Sequence, residues 1–208
     1  VKTKPEAQPV RIDDLLPLVA MGTVADLVRL CADNRRLVQQ GLVRLRQGIA
    51  PLGLLAMFEA AGRDASQAVA NDFGFAIAPM LNAAGRLTEM SLGIYCLMEA
   101  DPTRAKAMAE ELRELNQARK RIQQEQSEQA LAMSQLMLNE APESNLLVVS
   151  HADWHEGIVG LIASRLKERW GVPVFAFAPS RENPDLLKGS GRSVGGIHLR
   201  DCLARVDS

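Results

Sequence analysis

The chain has 208 residues, of which 47% are hydrophobic, and its 24 basic residues nearly balance its 25 acidic ones. This length accommodates one large domain or two small domains with ordinary cores. The balanced charge excludes a globally basic surface, so any nucleic-acid site must be a local cluster. The three cysteines are far apart and lack metal-type spacing, which favours reduced thiols. No apolar run reaches the roughly 20 residues of a membrane span, and the segment Val1–Pro9 is too polar for a signal peptide, so the sequence predicts a cytoplasmic protein without a membrane partner.

The first part of the chain is predicted to form a helical lobe. From Ile12 to about Asp101, apolar residues follow a helical pattern that Gly, Pro and Asn interrupt. Short helices are predicted at Thr23–Cys31, Arg35–Arg46 and Leu52–Ala60.

Two segments of this lobe have both a structural and a functional interpretation. Thr23 precedes Asp26 by three residues, a spacing that predicts a capped helix start without any further role. In Leu81–Leu87, Gly85 is predicted to end a tight helical turn. Arg86 then either pairs with an acid or clamps a phosphate.

A long connecting helix is predicted over Thr103–Ala141, which contains neither Pro nor Gly. About 38 helical residues would span about 57 Å at ~1.5 Å per residue. An apolar stripe is supplied by Met108, Leu112, Leu115 and Ile122. The stretch Gln123–Gln129 is polar on every side, as expected where a helix bridges two lobes through solvent. A long coiled coil is the alternative, and the interrupted stripe disfavours it.

After Pro142 the pattern changes to α/β. The predicted elements are a strand at Leu146–Ser150, a helix at Ile158–Trp170, a strand at Val174–Ala178 and a strand at Leu186–Lys188. Trp170 is predicted to be a core residue, whereas Trp154 is either a core or a stacking residue. Ligands gather at the carboxyl ends of strands in such folds.

The glycine-rich segment Lys188–Gly196 follows the last predicted strand and surrounds Arg192. Glycines permit close approach to the backbone, successive amides can form an anion-binding concavity, and arginine matches two phosphate oxygens. The segment therefore predicts a phosphate-binding loop. A plain turn before Val194–Leu199 is the competing interpretation.

The loop after the first strand contains His151, Asp153, His155 and Glu156. Imidazoles and carboxylates this close together could bind a transition metal, although no known zinc spacing is present. Alternatively, His155 donates to a substrate phosphate or positions a neighbouring loop, or the loop merely caps the helix that starts near Ile158.

Four segments stand out by their motif sequences: Gly22–Asp26, Asn82–Leu87, His155–Arg165 and Gly189–Ser193. In this order they resemble motifs of the RecJ-type single-strand-specific DNA exonucleases of the DHH phosphoesterase superfamily. The resemblance extends from about Leu15 to Leu203. It implies an α/β fold with the helical C-terminal part of a DHH catalytic domain (1–101), a long connecting helix (102–141) and a smaller, truncated α/β DHH-associated domain (142–208).

The resemblance implies an enzyme that removes nucleotides from the 5′ end of single-stranded DNA, with Mn²⁺ or Mg²⁺ in a two-ion site. Asp26 would be the metal ligand, and Arg86 and Asn82 would contact DNA near the scissile phosphate. Phosphates would be gripped by His155, Gly189, Ser190, Gly191, Arg192 and Ser193. The implied catalytic residues are Asp26, Arg86 and His155. Single-stranded DNA is the implied substrate of a monomer, with a single-strand-binding protein and a helicase as candidate partners.

The departures from the family pattern predict an internal fragment. The chain has no Asp-His-His triplet. It also lacks the family's early aspartate motifs, its later Gly-Gly-His segment and its oligonucleotide-binding domain. One aspartate cannot assemble a two-metal site, so this chain is expected to lack nuclease activity by itself and to bind single strands weakly in a salt-sensitive manner.

Three alternatives remain open at this point. One is a related DHH phosphodiesterase that acts on short oligonucleotides or dinucleotides. Another is a non-catalytic scaffold, for which Arg192→Ala would leave DNA binding unchanged. The last is a self-contained hydrolase that uses the loop His151–Glu156, which predicts metal-dependent turnover by this chain alone.

Overall fold

A computed structural model describes residues 11–183 and 185–205, so the segment Val1–Pro9 lies outside the described residues. The chain divides into two compact units, which we name unit 1 (Val1–Asn116) and unit 2 (Gln117–Ser208). In chain order the elements are α1 (Leu16–Ala25), α2 (Ala32–Arg46), α3 (Leu52–Ala60), α4 (Ala70–Asp72), α5 (Ala78–Leu87), α6 (Ser91–Met98), α7 (Pro102–Glu140), β1 (Leu147–Ser150), α8 (Val159–Trp170), β2 (Val174–Pro179), β3 (Leu187–Arg192) and α9 (Leu199–Ala204). This set of elements confirms the predicted α/β class. None of the described helices is long and apolar enough to cross a membrane.

The start of unit 1 differs from the prediction. α1 ends just before Asp26, so Thr23 lies in its last turn and not at a helix start. The hydroxyl of Thr23 donates to the carbonyl oxygen of Val19 at 2.7 Å. Leu27 adopts a left-handed φ of 52°, which stops the helix. The helix predicted from Thr23 onward and its capping box are therefore wrong.

The other predicted helices of unit 1 are confirmed, with one exception at Gly85. α3 has the predicted bounds, and α2 begins at Ala32, slightly before the predicted Arg35. α5 continues through Gly85 to Leu87, so this glycine does not end a turn. A five-residue π-helical segment, Phe73–Ile77, joins α4 to α5.

The core of unit 1 is helical and tightly packed. α3 is almost wholly apolar, and it buries Leu54, Met57 and Phe58 completely. The rings of Phe58 and Phe73 meet edge to face with centroids 5.9 Å apart. A Cβ atom on Gly53 would lie 1.8 Å from the carbonyl oxygen of Cys96, so α3 and α6 approach each other only because residue 53 is glycine.

α7 confirms the predicted long helix and contributes to both units. Pro102 occupies its first turn, and Asp101 Oδ1 accepts a hydrogen bond from the Arg104 amide at 2.8 Å. Its first turns place Ala105, Ala109 and Leu112 in the core of unit 1. Its later turns bury Gln126 and Ser127, which are 8% and 1% exposed. The predicted solvent bridge at Gln123–Gln129 is therefore wrong, because buried polar side chains there serve unit 2.

Unit 2 contains a three-stranded sheet in the order β1-β2-β3. β1 and β2 are parallel and joined by α8, whereas β2 and β3 are antiparallel. One face of the sheet is buried, and α8 buries an apolar stripe of its own. α8 ends at Gly171, whose left-handed φ of 69° suits a glycine cap. The predicted strands β1 and β2 and the helix α8 are confirmed to within a residue or so at each end.

Candidate phosphate-binding site

The first part of the glycine-rich segment, residues 188–192, belongs to a strand, and Gly189 and Gly191 make room for two aromatic rings. β3 runs through Gly189 and Gly191 and pairs with β2. A Cβ on Gly189 would lie 2.3 Å from the ring of Phe177, and one on Gly191 would lie 2.7 Å from the ring of Phe175. The two rings stack with centroids 6.4 Å apart. The predicted phosphate-binding loop is therefore wrong as a backbone structure, because these glycines lie under cross-strand phenylalanines.

The side chains of Ser190 and Arg192 point to the opposite face of β3, toward α8, because side chains alternate along a strand. Arg192 Nε donates to the hydroxyl of Ser164 at 2.9 Å. Arg192 Nη1 donates to the hydroxyl of Ser190 and to the carbonyl oxygen of Gly191, both at 2.8 Å. Groups on β3 and α8 thus hold the guanidinium in one orientation. We name this set of residues, together with the neighbouring glycine of α8, the Arg192 cluster (Gly160, Ser164, Ser190, Gly191 and Arg192).

The first turn of α8 completes the Arg192 cluster. A Cβ on Gly160 would lie 3.0 Å from Arg192 Nη2 and 3.2 Å from the hydroxyl of Ser190, so residue 160 must be small. The hydroxyl of Ser164 donates to the Gly160 carbonyl oxygen at 3.0 Å while it accepts from Arg192. Helix N-termini attract anions through unpaired amides and the helix dipole. The cluster therefore combines an oriented guanidinium with a helix N-terminus.

The structure does not bring every residue of the glycine-rich motif into this cluster. The hydroxyl of Ser193 donates to the carbonyl oxygen of Ile197 at 2.5 Å and stabilises the turn after β3. Gly160 and Ser164 belong to the cluster, although sequence analysis gave them no role. The sequence does contain a pattern that indicates them, because small residues four positions apart in a predicted helix lie on the same face of that helix.

The loop between β1 and α8 is held by glutamine side chains of α7. Gln126 Nε2 donates to the carbonyl oxygen of Asp153, and its Oε1 accepts from the amide of His155, both at 3.2 Å. Trp154 is 4% exposed, and its indole N–H donates to Gln129 at 3.1 Å. Trp154 is therefore a core residue, and sequence analysis missed the contribution of both glutamines. Trp170, predicted to be core, is half-buried, and its indole N–H donates to Ser134 at 2.9 Å.

His155 is half-buried between two hydrogen-bond donors. Its Nδ1 accepts from the Gly157 amide at 3.0 Å, and Nη1 of Arg181 lies 3.2 Å from its Nε2. Burial lowers the pKa of His155, and the positive charge of Arg181 lowers it further, against the opposing effect of Glu156. His155 therefore stays neutral over a wider pH range than a free histidine.

Glu156 connects the loop to β3 and to the segment after β2. Its Oε2 accepts from the Arg181 amide at 3.2 Å and lies 3.3 Å from Lys188 Nζ. Burial raises the pKa of Glu156, but these two contacts outweigh burial, so the pKa is lowered on balance. A cavity of about 560 Å³ opens beside these groups and is lined by Ile122, Glu125, Gln126, Ala152, Asp153, Trp154, His155, Pro179, Ser180 and Arg181.

The metal hypothesis for the loop is not supported by the geometry. His151 Nδ1 accepts from the Asp153 amide at 3.1 Å, so it is engaged within the loop. Across residues 11–183 and 185–205, no group of three or more His, Cys, Asp or Glu side chains is arranged to hold a metal ion. The donor set therefore does not fit a metal site assembled from the described residues alone.

The candidate residues of unit 1 lie on helix surfaces. Asp26 is exposed at the C-cap of α1. Asn82 is exposed in α5, and Arg86 is half-buried in the last turn of the same helix. These positions are compatible with contacts to a charged ligand, and they do not form a metal centre among the described residues.

Comparison with known proteins identifies the family. Residues 143–208 match the model of the DHHA1 domain. The chain is 47% identical over 196 residues to the single-stranded-DNA-specific exonuclease RecJ of Dickeya dadantii and 47% identical over 198 residues to that of Escherichia coli, with 94% of this chain covered in each case. The chain belongs to the RecJ family. It spans 34% of the length of both these RecJ relatives.

Solved RecJ structures share the fold of this RecJ-family chain. The RecJ of Thermus thermophilus in complex with Mg²⁺ is 31% identical with a TM-score of 0.75, over 94% of this chain and 29% of that one. An exonuclease RecJ bound to manganese is 32% identical with a TM-score of 0.75, over 93% of this chain and 46% of that one. The resemblance found in the sequence motifs is therefore confirmed at the level of the RecJ family and fold.

Proposed function

We propose that this chain is part of a single-stranded-DNA-specific 5′→3′ exonuclease of DNA repair and recombination, and that unit 2 grips the phosphate backbone of the strand. One observation carries the proposal: Arg192 is oriented by three hydrogen bonds beside the first turn of α8. The relatives supply the reaction class, because they are named single-stranded-DNA-specific exonucleases.

The Arg192 cluster suits a phosphodiester for physical reasons. A guanidinium donates charge-assisted hydrogen bonds to phosphate oxygens, and Nη2 is the nitrogen of Arg192 that would do so here. Because Nε and Nη1 are already bonded to protein, little side-chain entropy is lost when Nη2 meets an anion. Contacts to phosphate carry no base information, which is what a sequence-independent exonuclease requires. Ser190 would support this grip directly, whereas Gly189, Gly191 and Ser193 would support it by shaping β3 and the following turn.

The remaining motif residues complete the proposal. Asp26 would supply one carboxylate to a two-ion Mn²⁺ or Mg²⁺ site whose other ligands are not among the described residues. RecJ structures have been solved with each of these ions. Arg86 and Asn82 would contact the backbone near the scissile phosphate, and His155 would contact it from unit 2. This chain by itself would then release no nucleotides in the presence of either ion.

The oligomeric state, location and partners of the exonuclease belong to the same proposal. It includes a cytoplasmic monomer that acts with a helicase and a single-strand-binding protein. The chemical reason is that an exonuclease for single strands needs an enzyme that opens the duplex, and it meets the protein that coats the opened strand.

Binding of a fluorescein-labelled oligothymidylate, followed by anisotropy over a range of KCl concentrations, tests the proposal. Arg192→Gln should weaken binding about fivefold at about 0.1 M salt and flatten the log–log salt slope by about 0.7, the value for one lost phosphate contact on a single strand. Arg169→Gln is the matched control, because Arg169 lies at the other end of α8 and carries the same charge. Equal binding by both variants would contradict the proposal.

A further inference from the structure

The contact between His155 and Arg181 brings two donors face to face. A guanidinium nitrogen always donates and never accepts. A neutral imidazole carries one hydrogen, and His155 Nδ1 already accepts from the Gly157 amide at 3.0 Å. In the tautomer in which Nδ1 accepts from this amide, the hydrogen sits on Nε2, which lies 3.2 Å from Arg181 Nη1; in the other neutral tautomer Nε2 accepts from Arg181, and the ring N–H instead faces the Gly157 amide. In either neutral form of the ring, one of its two nitrogens therefore faces a second donor, either Arg181 or the Gly157 amide.

An oxyanion resolves this opposition, because its lone pairs can accept from both nitrogens at once. Protonation of His155 would add a second positive charge beside Arg181, which an anion would also compensate. Burial lowers the pKa of His155, and the positive charge of Arg181 lowers it further, so the ring takes up a proton less readily in the absence of an anion.

The surroundings provide room and rigidity for such an anion. Both side chains line the cavity of about 560 Å³ that follows the carboxyl ends of β1 and β2. Gln126 holds the backbone on both sides of Trp154 through two hydrogen bonds, so His155 is firmly positioned. The carboxylate of Glu156 already accepts from the Arg181 amide and pairs with Lys188. The other carboxylates of the lining, Glu125 and Asp153, belong to exposed residues.

We propose that His155 and Arg181 form a second phosphate-binding subsite of unit 2, which takes another phosphodiester of the strand that the Arg192 cluster holds. The inference rests on the proposed function and deepens it by assigning Arg181, a residue outside all four motifs, to substrate binding. Two separate phosphate-binding sites on one strand would fix the orientation of the DNA strand as well as its position.

The test compares Arg181→Gln, Arg192→Gln and the double variant in the same anisotropy assay, with Arg169→Gln as the control. Arg181 is exposed, so its replacement leaves the core intact. Arg181→Gln should weaken oligothymidylate binding about fivefold at about 0.1 M salt and flatten the salt slope by about 0.7. The double variant should weaken binding about 25-fold, because contacts to separate phosphates add.

A second readout follows the imidazole of His155 by nuclear magnetic resonance with inorganic phosphate as the probe. Phosphate should raise the pKa of His155 in the chain and leave it unchanged in Arg181→Gln.

The outcomes separate the inference from the proposed function. If Arg192→Gln weakens binding while Arg181→Gln matches the control, the second subsite is overturned and the proposed grip stands. If only Arg181→Gln weakens binding and phosphate raises the His155 pKa, the subsite stands and the role of Arg192 is overturned. If neither variant differs from the control, both are overturned.

Discussion

The motif residues of the two units differ in how firmly their side chains are held. In unit 2, Arg192 and His155 are held by side chains and amides of the same unit, and the hydrogen bonds are 2.8 to 3.2 Å long. In unit 1, Asp26 and Asn82 are exposed on helices. Unit 1 therefore carries its motif side chains singly on the surface of a packed helical core, whereas the motif side chains of unit 2 are joined to one another or to neighbouring groups by hydrogen bonds.

The difference shows where each unit is constrained. The tightest positions of unit 1 are glycines between helices, such as Gly53 against Cys96 and Gly41 against the backbone of Leu16. In unit 2 a tight glycine, Gly160, lies inside the candidate site itself. Substitutions at the tight glycines of unit 1 should accordingly change stability alone, whereas a larger residue at Gly160 of unit 2 should change stability and binding together.

The largest expected effect is on the stability of unit 1. Gly53→Ala would place a methyl group where the Cys96 carbonyl oxygen lies, and a backbone atom cannot move aside as a flexible side chain can. The free energy of unfolding should fall by about 3 kcal/mol, at the upper end for overpacked cores. Gly22→Ala in α1, where a Cβ meets nothing within 4 Å, should instead gain about 0.5 to 1 kcal/mol.

Cys96 provides the measurement for this pair of variants. Its thiol is buried, and burial together with the nearby Glu99 charge raises its pKa to about 11, so it reacts with thiol reagents only when unit 1 opens. Cys31 and Cys202 are exposed and serve as internal standards. Equal labelling rates of Cys96 in both variants would show that α3 and α6 do not approach as closely as described.

The next effect tests how far the loop of unit 2 depends on α7. Gln126→Ala would leave the Asp153 carbonyl and the His155 amide without their side-chain partners. This should lower the stability of unit 2 by about 1 to 3 kcal/mol. Gln124→Ala is the control, because Gln124 is exposed and bonds to Glu128 within α7. Both tryptophans lie in unit 2, so fluorescence during guanidinium unfolding measures the change. Matching midpoints for the two variants would mean that the loop supports itself.

Local patterns predicted much of this architecture. α3 follows from a helical apolar pattern, α7 follows from a long stretch without Pro or Gly, and the unit β1-α8-β2 follows from a change of period. The motif order predicted the RecJ family correctly. These features were accessible because each depends on residues close together in the sequence.

Contacts between distant residues were not accessible. The sequence predicts a phosphate-binding loop at Gly189 and Gly191, because nothing next to them reveals that Phe177 and Phe175 lie across the sheet. Gln126 looked solvated, because its partners are 27 and 29 residues away. Arg181 carried no motif signal, and only the fold brings it to His155.

The smallest expected effect is a pH dependence that belongs to unit 2. Burial and the charge of Arg181 lower the folded-state pKa of His155, whereas an unfolded histidine titrates near about 6.5. The folded state therefore binds this proton less readily than the unfolded chain does. The contribution of His155 to the free energy of unfolding is therefore fully present above about pH 6.5 and is lost as the pH falls through the lowered pKa.

Arg181→Gln removes one of the two causes of the lowered His155 pKa. Tryptophan-monitored unfolding of this variant should therefore show a smaller loss of stability between neutral and mildly acidic pH. If Arg181→Gln kept the full pH dependence, the contact between Arg181 and His155 would not determine when this ring takes up a proton.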